Sequence, residues 1–275
     1  MLENNNLTDE MTIHVAPLME VQDISKRFPG VIALNKVSLQ FFPGEVHAVV
    51  GENGAGKSTL MKIMAGAYIP DSGKILLQGE KVSFSHPKQA QEKGVSIIYQ
   101  EFNLLPERTV AQNIFLAREP GKFGALDVRE LNKNAARVLT GLGAHQMIAP
   151  SALCNTLSVA EQQIVEIAKA ISFDSKVLIM DEPTASLSSI EVKMLTDLVA
   201  KLKARGMAVI FISHRLIEVF DIADKITVLK DGELVGTVMT TEVTREKIVH
   251  MMVGREFEHY FPPLGSKEDL GEVVL

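Results

Sequence analysis

The sequence predicts an α/β fold with a mainly parallel sheet, an N-terminal antiparallel β subdomain and an inserted α-helical subdomain. Short apolar runs alternate with turn residues from Leu18 to Val50, helical segments dominate residues 101–156, and strand–helix alternation then returns. Such alternation implies a mainly parallel sheet with helices on both faces. The chain is 46% apolar and 23% charged, which is typical of a globular protein. Its 275 residues are enough to bury a hydrophobic core.

The first part of the chain is predicted to be rich in strands. These strands are Leu18–Val21, Val37–Phe42, Glu45–Val50, Lys74–Leu77, Lys81–Phe84 and Val95–Tyr99. Turn signals separate several of them, at Pro29-Gly30, Pro43-Gly44 and Gln78-Gly79-Glu80. Leu60, Ile63 and Met64 predict a helix after residue 56 that ends near Gly66, and Pro87–Lys93 predicts a shorter one.

The second part is predicted to alternate between helices and strands. The helices are Val110–Ala117, Val128–Leu142, Val159–Ile171, Ile190–Arg205 and Thr244–Val253, and the strands are Val177–Met180, Met207–Ile212, Ile226–Leu229 and Glu233–Thr237. Residues 1–17 are predicted to be a flexible polar tail and residues 18–254 the folded domain. Residues 255–275 are predicted to form a linker, either a frayed terminus or the approach to a second domain.

A glycine-rich segment follows the predicted strand Glu45–Val50. Gly51–Thr59 reads G-E-N-G-A-G-K-S-T and matches the phosphate-binding pattern G-x-x-x-x-G-K-[ST]. Glycines let backbone N–H groups approach phosphate oxygens, Lys57 neutralises phosphate charge, and the Ser58 hydroxyl ligates Mg²⁺. A short pattern can match by chance, but the strand before it and the helix after it favour a P-loop NTPase core. The residues predicted to hold ATP are Gly51, Asn53, Gly54, Ala55, Gly56, Lys57, Ser58 and Thr59.

Two adjacent carboxylates end the predicted strand Val177–Met180. Like charges repel, so Asp181 and Glu182 need either solvent or a cation beside them. We predict that Asp181 holds Mg²⁺ and that Glu182 orients and polarises the attacking water. Without the glycine-rich segment, a strand ending in solvent would be a reasonable alternative.

Two further polar residues follow other predicted strands. Gln100 comes after Val95–Tyr99, and His214 comes after Met207–Ile212. The carboxyl ends of parallel strands meet at one edge of an open sheet, where ligands bind. We therefore predict that Gln100 contacts Mg²⁺ or the attacking water and that His214 contacts the γ-phosphate. Taken alone, each would more often be an ordinary surface or core residue.

With these motifs in this order, residues 18–253 resemble the nucleotide-binding subunits of ATP-binding-cassette (ABC) transporters. The resemblance makes Gly51–Thr59 the Walker A loop, Val177–Asp181 the Walker B strand and Glu182 the catalytic glutamate. It makes Gln100 the Q-loop residue and His214 the switch histidine. It also implies that Phe28, which lies 51 − 28 = 23 residues before Gly51, stacks on adenine.

One further segment takes its function only from this resemblance. Leu157, Ser158, Val159, Ala160 and Glu161 stand where the family has its L-S-G-G-Q signature, which contacts the γ-phosphate of a partner cassette. From the residues alone, Ser158 and Glu161 form a helix capping box. Val159, Ala160 and Glu161 depart from the family pattern, which predicts a weak contact with the partner's ATP. Ser188, where many members have aspartate, puts the usual communication between sites in doubt.

Within the family, the motifs are similar to those of tandem-cassette bacterial monosaccharide importers. The resemblance implies ATP hydrolysis with Mg²⁺ at the cytoplasmic face of the cell membrane, as a peripheral subunit. The implied partners are permease subunits docked on residues 101–156, a second cassette and, indirectly, an extracellular or periplasmic sugar-binding protein.

The competing function is a non-transport ABC ATPase that acts on ribosomes or DNA. The net charge of −6 gives no support for a nucleic-acid partner, and residues 101–156 lack long charged insertions. A binding-only cassette is a third possibility, which the intact Asp181, Glu182 and His214 disfavour. Cys154 is the single cysteine, so the chain forms no internal disulfide.

Overall fold

The computed structural model describes residues 15–122 and 125–254. The predicted linker 255–275 and all but the last residues of the predicted tail lie outside this range. The strands are β1 (Met19–Phe28), β2 (Val31–Phe41), β3 (Val46–Val50), β4 (Ser72–Leu77), β5 (Glu80–Val82), β6 (Val95–Ile98), β7 (Gly121–Lys122), β8 (Ala125–Leu126), β9 (Val177–Asp181), β10 (Ala208–Ile212), β11 (Lys225–Lys230) and β12 (Glu233–Met239). The helices are α1 (Lys57–Met64), α2 (Pro87–Glu92), α3 (Val110–Ile114), α4 (Val128–Leu142), α5 (Val159–Ile171), α6 (Ser189–Ala204), α7 (Leu216–Ile222) and α8 (Arg245–Val253).

The main sheet has the strand order β12-β11-β3-β10-β9-β6. All neighbouring strands are parallel except β11 and β12, which form an antiparallel hairpin with its turn at Asp231-Gly232. The side chains of β3 alternate between two cores, since Ala48 and Val50 pack in one and Val49 in the other. The sheet is therefore covered on both faces, as its nearly continuous apolar strands predict.

A second sheet covers one face of the domain, and its order is β2-β1-β4-β5. Its strands pair antiparallel, which confirms the predicted N-terminal β subdomain. Strand β1 is longer than the predicted Leu18–Val21, because bulges carry it through the polar residues that follow. Asp23, with φ of 53°, marks one such irregularity.

The segment predicted to be helical contains α3, α4 and the short hairpin β7–β8, and α3 and α4 pack against α5. Helix α3 ends at Ile114, short of the predicted Ala117, since Arg118 donates to the Ile114 carbonyl oxygen and Ala117 has φ of 60°. Helix α7 and the β7–β8 hairpin were not predicted. Within the described ranges, no helix is long and apolar enough to cross a membrane.

Candidate nucleotide-binding site

The predicted phosphate loop lies between β3 and the first turn of α1. Gly51, Gly54 and Gly56 have φ of 158°, 86° and 99°. A Cβ atom on Gly51 would lie 2.3 Å from the Leu229 carbonyl oxygen, and one on Gly56 would lie 2.4 Å from that of Ala33. The loop therefore requires glycine at these two positions for space as well as for backbone conformation.

Lys57 opens α1 and folds back over the loop. Its side chain is buried, and its Nζ donates to the carbonyl oxygens of Gly51, at 2.8 Å, and Glu52, at 3.0 Å. Burial lowers the pKa of Lys57, while the carboxylates of Glu182 and Asp181 act in the opposite direction. A buried ammonium group that donates to neutral carbonyl oxygens fits an anionic ligand such as a triphosphate. Ser58 and Thr59 follow it in the first turn of α1.

Asp181 is the last residue of β9, and Glu182 follows it. Burial raises the pKa of Asp181, and the neighbouring Glu182 raises it further, against the opposing effect of Lys62 and Lys57. Glu182 has φ of 46°, a left-handed conformation that is strained for this residue. Its N–H donates to the Ile212 carbonyl oxygen at 3.0 Å, which ties the end of β9 to the end of β10. Two half-buried carboxyl groups side by side fit a divalent cation.

His214 lies just beyond β10 and contacts Glu182 directly. Its Nδ1 is 2.9 Å from Oε1 of Glu182, so the carboxylate can accept a hydrogen bond from the tautomer protonated at Nδ1. The sequence placed both residues at one sheet edge but did not predict this contact. The other ring nitrogen, Nε2, is left for a ligand.

Five of the predicted site residues meet around one cleft of roughly 730 Å³, namely Gly51, Asn53, Gln100, Glu182 and His214. The residues that line it are Gly51, Glu52, Asn53, Gln100, Glu182, His214 and Met252. They come from the ends of β3, β6, β9 and β10, as the sheet-edge prediction requires. Met252 was missed. It lies on α8, whose last carbonyl, that of Val253, accepts from the Lys230 ammonium group at 2.9 Å, and nothing in the spacing of α8 signals this contact.

Phe28, Asp181 and residues 54–59 of the phosphate loop are not among the residues that line this cleft. Phe28 ends β1 with a partly exposed ring, packed edge-on against Tyr68 at 5.6 Å between centroids. One face of the ring is thus compatible with the predicted stacking on adenine, which stays a prediction. The charge of Asp181 nevertheless acts on the phosphate loop, because it raises the pKa of Lys57 against the lowering effect of burial.

The predicted capping box at the start of α5 is confirmed. Oε2 of Glu161 accepts from the Ser158 N–H at 2.8 Å and from the Ser158 hydroxyl at 2.9 Å. The Glu161 carboxylate therefore already accepts from the Ser158 donors that the resemblance assigns to a partner's γ-phosphate. The weak contact predicted from the departures at Val159, Ala160 and Glu161 stays a prediction.

The raised pKa of Asp181 has a consequence for stability. A carboxyl group whose pKa is higher in the folded than in the unfolded state stabilises the fold only at low pH, and this contribution is lost as the pH rises through the folded pKa. Without ligand, Asp181→Asn should therefore melt at a higher temperature than the wild type at pH 7.5. The difference in melting temperature between the two proteins should become smaller toward about pH 4, near the ordinary aspartate pKa. Thermal unfolding measures it, with the exposed Asp197→Asn on α6 as the control. Equal melting temperatures at pH 7.5 would contradict the assigned burial effect.

The glycine loop, its lysine and the polar groups at the ends of parallel strands define a P-loop nucleotide-binding domain. The chain belongs to the ABC transporter family, because the family model described as "ABC transporter" matches residues 34–185. It is 48% identical over 261 residues to a putative ribose/galactose/methyl galactoside import ATP-binding protein of Hahella chejuensis, covering 94% of this chain and 50% of that protein. It is 49% identical over 259 residues to a ribose import ATP-binding protein of Rubrobacter xylanophilus, covering 94% and 51%.

The chain spans about half the length of the curated relatives it matches. Among solved structures, it is similar to a nucleotide-free ATP-binding cassette from an ABC transporter, with a TM-score of 0.76 and 24% identity, covering 87% of this chain and 100% of that one. It is also similar to a dimeric bacterial ABC transporter cassette, with a TM-score of 0.68 and 25% identity, covering 81% and 98%. The first likeness concerns the fold alone, and it agrees with the predicted α/β class.

Proposed function

We propose that this chain binds and hydrolyses ATP to power import of a monosaccharide through a membrane permease. The observation that carries the proposal is the cleft in which the phosphate loop, Gln100, Glu182 and His214 meet. The relatives named above are ribose and galactoside import ATP-binding proteins, which supports the choice of sugar import over a ribosome- or DNA-directed ATPase.

Each residue of the site has a role in this proposal. The backbone of Gly51, Asn53, Gly54, Ala55 and Gly56 and the side chains of Lys57 and Thr59 hold the phosphates, and Phe28 holds adenine. The oxygens of Ser58, Gln100 and Asp181 are hard donors suited to Mg²⁺, which supplies charge neutralisation on the phosphate oxygens when bound.

The chemistry is transfer of the γ-phosphoryl group to water. Water attacks the γ-phosphorus, its proton passes to the Glu182 carboxylate, and the bond to the β-phosphate oxygen breaks to release ADP. His214 donates to Glu182 through Nδ1 in one tautomer, and this contact orients the carboxylate. In the same arrangement Nε2 faces the γ-phosphate.

A second cassette completes the site in this proposal. The chain is about half as long as its relatives, and a dimeric cassette has the same fold, so we propose a partner cassette in the rest of the full-length protein. The partner cassette contacts the ATP bound by this chain, and Leu157–Glu161 of this chain contacts the ATP bound by the partner. The self-capped Ser158 makes that second site the weaker of the two.

The permease contact is proposed at a groove of roughly 560 Å³ beside α3 and the β7–β8 hairpin. Its apolar lining includes the exposed Leu105, Leu116 and Leu126. The backbone of Leu105 is clamped by the buried Asn113 side chain, which accepts from its N–H at 2.7 Å and donates to its oxygen at 3.0 Å. Residues 100–105 therefore connect the groove to Gln100 in the cleft. In this proposal the groove contacts the permease at the cytoplasmic face of the membrane.

A charge in this groove should separate permease binding from ATP binding. Leu116→Glu places a carboxylate on the apolar lining, and we expect permease affinity to fall at least tenfold, about 1.4 kcal/mol. ATP affinity should stay unchanged. Met239→Glu is the control, because Met239 lies on β12, outside residues 101–156, and is exposed to the same extent as Leu116. Co-purification with the permease measures the effect, and undiminished recovery of Leu116→Glu would remove the groove from this role.

The proposed function is tested by reconstituting the protein with its permease in proteoliposomes. We expect ATP-dependent uptake of a labelled pentose or hexose and faster ATP turnover than without permease. Co-purification with ribosomes or DNA in place of a permease would favour the alternative class of ABC ATPase.

A further inference from the structure

The turn that follows Glu182 is held by side chains from the start of α7. We infer that Thr184, Arg215 and Glu218 are positioning residues that hold Glu182 and His214 in register for water attack. This inference rests on the proposed hydrolysis. It assigns a function to the helix that the sequence pattern did not predict.

Thr184 lies at the centre of this network. It is 3% exposed, and its hydroxyl donates a short hydrogen bond to Oε2 of Glu218. The same carboxylate oxygen lies 3.5 Å from the hydroxyl of Ser213, the residue between β10 and His214. One largely buried carboxylate therefore joins the turn after Glu182 to the segment that carries His214.

Arg215 makes the second connection between the two segments. Its Nη1 donates to Oε1 of Glu218 at 3.1 Å and to the Thr184 carbonyl oxygen at 3.4 Å, and its Nη2 donates to the Ala185 carbonyl oxygen at 3.4 Å. The planar guanidinium group thus spans two successive carbonyls of the turn while it pairs with Glu218. The backbone N–H of Arg215 donates to the Ser213 hydroxyl at 3.0 Å.

The strained backbone of Glu182 explains why such support is needed. A left-handed conformation at a non-glycine residue persists only where the surroundings impose it. On one side, the Glu182 N–H is tied to the Ile212 carbonyl oxygen, and on the other, its carbonyl oxygen accepts from the Ala185 N–H at 3.2 Å. The hydrogen bonds of Thr184 to Glu218 and of Arg215 to the turn hold the turn that follows Glu182. They keep the Glu182 carboxylate 2.9 Å from His214.

This network touches neither the phosphate loop nor Lys57. Loosening it should misplace the carboxylate that accepts the proton while leaving the ATP phosphates held. A displacement of about 1 Å at a reacting group can cost about 100-fold in rate. The expected signature is therefore a fall in kcat with little change in the KM for ATP.

A pair of substitutions at Thr184 tests the inference in the full-length protein bound to its permease. Thr184→Val removes the hydroxyl at nearly constant volume, and Thr184→Ser keeps it. We expect Thr184→Val to lower kcat by about tenfold or more, with KM within about twofold, and Thr184→Ser to restore most of the rate. Thr196→Val is the control, because the Thr196 hydroxyl bonds only to the Val192 carbonyl within α6 among the described contacts.

The outcomes separate this inference from the proposed function. Absence of ATP turnover in the wild type would end the proposed function and this inference with it. Wild-type turnover with an unchanged Thr184→Val kcat, or equal loss in Thr184→Val and Thr184→Ser, would overturn the inference alone. Hydrogen exchange gives a second measurement, in which the amides of Glu182 and of residues 184–187 exchange faster in Thr184→Val than in Thr184→Ser. Equal exchange in the two variants would also overturn it.

Discussion

Glu182→Gln should leave ATP binding intact and slow hydrolysis by at least about 100-fold, which is about 2.7 kcal/mol at 1.36 kcal/mol per decade. The substitution keeps the size of the side chain and its ability to accept from His214. It removes the negative charge and the basicity that take the proton from water. Steady-state ATP turnover of the assembled transporter measures the rate, and isothermal titration measures the ATP affinity.

Glu130→Gln is a matched control for that variant. Glu130 lies in the first turn of α4, where it pairs with the exposed Lys133 at 3.7 Å, and it is not among the residues that line the cleft. It should turn over ATP at the wild-type rate. Near-normal turnover of Glu182→Gln in the same preparation would remove Glu182 from the role of proton acceptor.

Lys57→Ala should weaken ATP binding at least tenfold. Hydrogen bonds between charged groups contribute about 1.5–3 kcal/mol each, and Lys57 is the buried cation of the loop. Burial lowers the pKa of Lys57, so its charged form is disfavoured in the folded chain without ligand. Lys57→Ala removes this burial penalty together with the hydrogen bonds to the Gly51 and Glu52 carbonyl oxygens, so we expect little net change in the stability of the ligand-free chain. This separates lost binding from lost folding.

Isothermal titration with ATP and thermal unfolding without it measure these two effects. Lys88→Ala serves as the control, because Lys88 is an exposed lysine on α2 that belongs neither to the loop nor to the residues that line the cleft. We expect it to retain most of the ATP affinity. Unchanged affinity in Lys57→Ala would refute the assignment of Gly51–Thr59 as the phosphate-binding loop.

Local sequence chemistry was enough to predict the core of the fold. The strands β3, β9 and β10 are continuous apolar runs, because both faces of a parallel sheet are buried. The capping box at Ser158 predicted the start of α5 at Val159. The shared edge of the parallel sheet predicted that Gln100, Glu182 and His214 meet the glycine loop.

The features that were missed depend on contacts between distant parts of the chain. The seven residues of α7 are too few for a clear helical period, and they fold against the turn at Thr184 through Arg215 and Glu218. Met252 lines the cleft only because α8 docks beside β11. Strand β1 continues through polar residues because bulges preserve its pairing, which an alternation pattern does not reveal.

The most direct test of the central claim is a crystal structure of the Glu182→Gln variant with ATP and Mg²⁺. We expect a triphosphate wrapped by Gly51–Thr59, with Lys57 turned from the loop carbonyls onto the phosphates. We also expect the γ-phosphate within hydrogen-bonding reach of His214 and adjacent to residue 182. A triphosphate bound elsewhere, or one whose γ-phosphate is remote from residues 182 and 214, would contradict the assignment of this site.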